Sequence, residues 1–219
     1  LGFPAGKNKT MLIRLDGVTS PGVVRHFRLR TNMEIYWDAL RYAKGVDDGQ
    51  ARRHWLSAEH ADLHYRGYSC MTEAGRSSPE LPRYDRLVPA RQPWRDLIGY
   101  YTRYGDVREL LQQVDDRYVI MNAGDEIAMR FAVPPGPPAG WKRDFIWVSD
   151  GWTKDGDLNT RFSKTVLPLP AHNQKSYNRP PGRLVDDPVY QRFPADWQKY
   201  HTRFVRPDVF ERGLRPPTR

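Results

Sequence analysis

The chain reads as a mainly β protein: an antiparallel β-sandwich, jelly-roll-like, with one or two short helices and a long irregular C-terminal tail. Two observations predict the sheet. Phe27, Leu29 and Thr31 alternate with Arg28, Arg30 and Asn32, and Ile35, Tyr36 and Trp37 then bring the β-branched and aromatic side chains that suit a pleated, half-buried surface. The 19 prolines and 17 glycines break any long helical pattern, leaving short strands with irregular connections. A third observation sets off the tail: from Val166 onward prolines and large aromatics alternate without any regular period.

At 219 residues the chain is long enough for one sizeable core. We read 1–165 as the sandwich and 166–219 as the extended tail. A hydrophobic share of 39% with mean hydropathy −0.76 is low, and no apolar run is long enough to span a bilayer. No charged start followed by an apolar segment marks an export signal. Opening at Leu1, the chain is expected to be a processed product or a piece of a longer one. The 35 Lys and Arg against 26 Asp and Glu give +9, which would attract nucleic acid, anionic lipid or an acidic protein face. The arginines sit singly beside acids (Arg108–Glu109, Asp116–Arg117, Arg143–Asp144) rather than in runs, which argues against nucleic acid. The single Cys70 excludes an intramolecular disulfide and leaves the compartment open.

The elements are expected as follows. Phe3-Pro-Ala-Gly6 is a turn, Lys9 to Leu15 a strand ending at Asp16-Gly17, and Arg28 to Asp38 a central strand, interrupted by a bulge or a side-chain bond at Thr31 and Asn32. A short helix runs from Gln50 to His60 and a short strand from Leu63 to Tyr68; Pro79, Pro82, Pro89 and Pro93 space out a long irregular connection. Asp106 with Glu109 forms a capping box, and Val107, Leu110, Leu111 and Val114 at helical spacing predict a short helix. Arg117–Met121 and Glu126–Phe131 read as a hairpin around Asn122-Ala-Gly-Asp125. Pro134-Pro-Gly-Pro-Pro138 is a stiff surface linker. Asp144 to Ser149, apolar at four consecutive positions, reads as a strand covered on both faces.

Several motifs together resemble the C-terminal region of bacterial ASPIC/UnbV proteins, the envelope proteins with FG-GAP-type propeller and TPR segments related to cartilage acidic protein. The pieces are Phe3–Gly6 with Lys9–Met11, Arg28–Asp38, Tyr101–Leu111, Asp115–Ile120, Gly124–Glu126 and Ser149–Asn159. The resemblance implies a secreted or periplasmic β-rich module of interaction type, without catalytic residues to carry over; the expected location is periplasmic or extracytoplasmic, peripheral to the membrane. The propeller and TPR parts are absent from this sequence, and the family's domain begins upstream of Leu1, so an open strand edge could recruit another chain.

Candidate chemistry is thin. Asp155, Asp157 and Asn159 place oxygen ligands at alternate positions, as in the start of a calcium loop, but Thr160 stands where the turn glycine belongs and Val166 where the bidentate glutamate belongs. His60 and His64, with His54 nearby, would share one helix face as zinc ligands, yet no glutamate follows His60. No G-x-S-x-G elbow, phosphate-cradling glycine loop or haem-attachment motif occurs. The pairs Asp115–Asp116 and Asp125–Glu126 read as turn and strand-end residues, and Trp141, Trp147, Trp152 with Tyr104 are the candidates for a sugar-stacking platform. No cofactor is expected.

The tail carries the functional expectation. Tyr177, Arg183, Tyr190, Phe193, Trp197, Tyr200, Arg203, Phe204, Arg206, Phe210 and Arg215 are the anchors and charges by which it would lie on a partner surface. The expected protein is a non-enzymatic accessory subunit of a membrane-associated complex, respiratory or photosynthetic, with anionic lipid as a further contact. A carbohydrate-binding module and a metal-dependent enzyme are the alternatives.

Overall fold

The computed structural model describes residues 11–13, 15, 28–30, 37–43, 51–73, 80–89, 97–154, 164–175 and 180–206. They divide into two compact units, one within Leu1–Arg53 and Met71–Arg83, the other within His54–Cys70 and Tyr84–Arg219. Regular structure is mostly strand, in small antiparallel sheets, with two short helices. No helix among the described residues is long and apolar enough to cross a membrane.

In the first unit, residues 11–13, 15, 28–30 and 37–43 have no strand or helix, and Leu12 is 87% exposed. Most of the expected central strand, 31–36, lies outside the described residues. The strands Tyr68–Glu73 (β2) and Glu80–Val88 (β3), each of which crosses a boundary between the two units in the sequence, form a two-stranded sheet. The predicted irregular connection after Pro79 is therefore a strand across Pro82, a position an edge or hairpin strand tolerates because it needs no donor there.

The second unit is built on Ala58–Tyr65 (β1), which is flanked by Gly105–Asp106 (β5) and Asp125–Phe131 (β6). The helix expected up to His60 is absent: 51–57 is irregular, and His60 and His64 lie on a strand. Ala61 and Leu63 are buried between the more open His60, Asp62 and His64, so the period of two outweighs the helical reading. Ala61 opposite Met129 and Leu63 opposite Ile127 bury one face, joined by Val107, whose N–H reaches the Ala61 carbonyl at 3.0 Å.

A second core surrounds Leu97, Tyr101, Val166, Leu169, Ala171 and Val189. Here Gly99–Tyr101 (β4) pairs with Arg203–Val205 (β7). The helices Pro188–Arg192 (α1) and Pro194–Lys199 (α2) each carry proline at the first turn, where its missing N–H costs nothing. Asp187 caps α1 through the Val189 N–H at 2.9 Å and holds the Leu169 N–H with its other oxygen at 3.0 Å. Val166, Leu169, Ala171 and Val189 of the expected tail thus share a core with Leu97 and Tyr101.

Residues 117–121, expected as a strand, thread between the two cores: Tyr118 and Ile120 pack on one and Val119 on the other. Their alternation is that of a strand, but a side chain substitutes for a ladder partner, because the Ile120 N–H donates to Thr102 Oγ1 at 2.7 Å. The helix expected at 107–114 is a short 3-10 turn, Arg108–Leu111; only Leu110 of it is buried, and Val114 is 63% exposed. Asp106 holds the Arg108 N–H at 3.0 Å, so the acid two residues ahead, rather than a reciprocal box, starts the turn.

The turn Asn122–Asp125 matches the sequence reading, closed by Asp125 N–H to Asn122 O at 3.1 Å, but its strand β6 pairs with β1. Gly124 has φ +86°, and an added Cβ would stand 2.7 Å from Tyr65 Cε2. Gly124→Ala combines left-handed strain with a ring clash and is expected to destabilise by more than about 1 kcal/mol, read by urea denaturation; a neutral result would mean that Tyr65 swings aside freely.

The largest departure is Asp144–Ser149. It has no strand pairing among the described residues, and Phe145, Ile146, Trp147 and Val148 are 67%, 88%, 66% and 67% exposed. Continuous apolarity specifies that a segment is to be covered; it does not specify by what.

Candidate functional site

Trp197 and Phe204, two of the anchors predicted from the tail, line a cleft of about 320 Å³ together with Ile98, Tyr100, Val166 and Leu169 among others. β4 supplies the floor, and the 165–169 segment, bridged to Ile98 at Thr165, supplies a wall. Gly99, also in the lining, has Val166 Cβ only 2.9 Å from where its own Cβ would be, so the wall packs directly on the strand backbone. Tyr100 and Phe204, cross-strand partners, sit with ring centroids 4.8 Å apart, 41% and 49% exposed. Trp197 is wedged edge-on between Tyr190 at 5.1 Å and His201 at 4.6 Å. Behind the wall, Lys154 donates to the Val166 and Leu167 carbonyls, and burial pulls its pKa down to about 8.

Three ion-pair braces surround this face. Arg117 grips the buried Asp196 through two bonds of 2.9 and 2.6 Å and reaches Glu109 at 3.0 Å. Glu109 also accepts from Lys199 and from the Tyr200 hydroxyl, and these donors hold its pKa down to about 2. Arg203 pairs with Asp125, donates to Tyr104 Oη at 2.8 Å and to Thr102 O at 3.1 Å, and lies 4.3 Å over the Tyr104 ring.

The third brace is Asp116, the described non-glycine residue with positive φ, at 67°. It accepts from Arg192, from Tyr118 Oη at 2.9 Å and from both the backbone and Nδ1 of His172. Burial works to raise its pKa, but these donors prevail and hold the carboxyl well below the usual range. His172 Nε2 meets Asp150 at 3.2 Å, and the Asp150 and Asp116 carboxylates together pull the imidazole pKa up. An imidazole oriented by a buried carboxylate is the arrangement of a general base. Its outer nitrogen faces another carboxylate rather than a hydroxyl or thiol, so the contacts form a clamp joining 116, 150, 172 and 192.

His201 is fully buried. Thr102 Oγ1 accepts from the Ile120 N–H and is hydrogen-bonded to His201 Nδ1 at 3.1 Å, which fixes the imidazole ring against the strand. Burial pulls its pKa down to about 4, Arg117 adding to this against the opposing pull of Asp196.

The predicted partner-binding residues therefore divide. Trp197 and Phe204 line the cleft and Tyr190 backs it. Phe193 is half-buried with Arg192 5.2 Å over its ring. Tyr200 is 4% exposed and Arg203 is held by Asp125, so both are engaged inside the unit. Arg183 is exposed and paired with Asp186 at 2.9 Å, and Arg206 is exposed. Tyr177, Phe210 and Arg215 lie outside the described residues, as do the calcium candidates Asp155, Asp157 and Asn159. Among the described residues no group of three or more His, Cys, Asp or Glu side chains is arranged to hold a metal ion, and His64 pairs with Asp62 and Glu126. Trp141, Trp147 and Trp152 are all at the surface, Trp147 edge-on to Phe131 at 6.0 Å. Sequence reasoning missed Thr102, His172, Asp196 and His201, whose partners lie 56 to 99 residues away and leave no local signal. No family model, no curated protein and no solved structure matches this chain.

Proposed function

We propose that the chain is a non-enzymatic docking module, an accessory subunit of a larger envelope- or membrane-associated assembly, whose partner seats on the cleft and the exposed Tyr100–Phe204 pair. The small antiparallel sheets are on this reading parts of a jelly-roll-like β-sandwich. One observation carries the proposal: the buried carboxylates Asp116, Asp187 and Asp196 are each occupied by arginines or backbone N–H groups, whereas aromatic surface stays open beside an apolar cleft. Chemistry needs unsatisfied polar groups aimed at a substrate, and docking needs desolvatable aromatic anchors. The motif likeness to the ASPIC/UnbV region supports the same reading.

The test uses the native protein, purified gently from its source, with size-exclusion chromatography and mass spectrometry of its companions. Phe204→Ser and Tyr100→Ser change surface side chains and are expected to leave folding intact while releasing the companions. If wild type and both variants elute as the same small species, the cleft is not a dock.

A carbohydrate-binding role rests on a separate observation, the exposure of Trp147 and Trp152 at 66% and 57%. Glycan-array binding lost on Trp152→Ala would establish it, and a blank array would remove it.

A further inference from the structure

Both ring nitrogens of His172 face carboxylate oxygens: Nδ1 meets Asp116, and Nε2 meets Asp150 at 3.2 Å. An ionised carboxylate only accepts hydrogen bonds, so an imidazole held between two of them needs a proton on each nitrogen. The two partners are unlike. Asp116 is 4% exposed and is also held by Arg192, by Tyr118 Oη and by the His172 backbone N–H. Asp150 is 52% exposed, and among the described residues it pairs with this ring alone.

Removing one proton leaves a single N–H for two carboxylates. It stays with Asp116, which is shielded from water, and Nε2 then turns a bare lone pair towards Asp150. The exposed carboxylate is the one that can exchange the ring for water. We propose that His172 is a pH-operated latch: protonated, it holds the segment around Asp150 against the Asp116–Arg192 brace, and loss of its proton releases that segment.

The segment is held by side chains. Residues 144–151 make no backbone hydrogen bond to another described residue. Further along, Lys154 Nζ donates to the Val166 and Leu167 carbonyls, and a neutral amine keeps the two hydrogens those bonds need, so this anchor outlasts the His172 proton. His64 also lies between two carboxylates, Asp62 and Glu126, but all three are fixed in the β1–β6 ladder, so its proton joins nothing that can part. Asp116 and Asp150 are the charged groups in contact with the His172 ring, with Arg192 and Tyr118 bound to Asp116. The two carboxylates raise the imidazole pKa above 6.5, so the latch is closed below that pH and opens as pH rises through the raised value. An exposed ion pair shifts an equilibrium by up to about fivefold, and the repulsion that replaces it adds to the shift.

The experiment is ¹⁹F NMR of the full 219-residue chain labelled with 5-fluorotryptophan, with the Trp152 line assigned through Trp152→Phe. Spectra from about pH 5.5 to about pH 8.5 are set beside the ¹H–¹³C titration of the His172 ring. The Trp152 line should shift and narrow with the His172 midpoint, whereas a charge effect alone would shift it at constant width. Asp150→Ala, an exposed substitution, should give the narrow line throughout and lower the His172 midpoint by about 0.2–0.7 pH unit. His172→Gln should abolish the pH dependence. A Trp152 width that stays constant through the His172 titration overturns the proposal, as does D150A with the wild-type width at pH 6. A transition that persists in H172Q also overturns it and places the titration at Lys154.

Discussion

Asp196→Ala is expected to remove about 3–5 kcal/mol of folding stability, because it leaves the guanidinium of Arg117 without its bidentate partner in a largely buried place. The Asp196 side chain is 5% exposed and Arg117 21%, so water replaces little of what is lost. The damage extends beyond the pair. The Asp196 carboxylate positions the arginine that also holds Glu109, while the backbone carbonyl bonds to the Tyr200 and His201 N–H groups are kept in the alanine variant. Chemical denaturation of the variant against wild type gives the value. Arg183→Ala is the control: it removes a fully exposed pair with Asp186 and should not shift the midpoint measurably. Equal midpoints for D196A and wild type would show that Arg117 finds a new partner and that this brace is not structural.

The second large effect is with pH. His201 is buried neutral, its pKa lowered from 6.5 to about 4, so between these values the unfolded chain binds a proton that the native protein refuses. Stability from this group is therefore complete above pH 6.5 and is lost as pH falls towards 4, by about 3 kcal/mol over the window at 1.36 kcal/mol per pH unit. Two other groups act elsewhere. Glu109, held down to about 2, loses its contribution at lower pH, as pH falls from about 4.5. His172, raised, contributes fully below 6.5 and loses its contribution as pH rises through its folded pKa. Denaturation midpoints from pH 7 to pH 4 should fall for wild type and flatten for His201→Gln, and the His201 imidazole should not titrate by NMR near pH 6.5. A slope equal in both proteins would place the acid sensitivity in other groups.

Both effects depend on contacts that local pattern does not record. Arg117 and Asp196 are 79 residues apart, and Thr102 and His201 99, so their pairing follows from two segments folding onto one core. The tail illustrates the same point. Its prolines and aromatics read as an extended surface, yet Val189 is buried in one core with Leu97 and Tyr101, and Tyr200 is buried beneath Arg103 and Lys199. Asp187 and the prolines at 188 and 194 could have signalled the two short helices, since a capping acid before proline is a helix start.

The amino-acid sequence by itself determined what depends on neighbouring residues: a β-rich chain, a glycine turn at 124, an exposed proline run at 134–138, and aromatics concentrated in 190–204. Backbone sterics and period-two alternation act over a few residues, and they are readable in order. The tertiary structure decided which strands pair, which carboxylate each arginine holds, and where apolar side chains find cover. It took Ile120's ladder bond for Thr102, and it left Phe145–Val148 facing solvent. Burial depends on the total surface a fold can bring together, and alternation along one strand carries no record of the element that lies across from it.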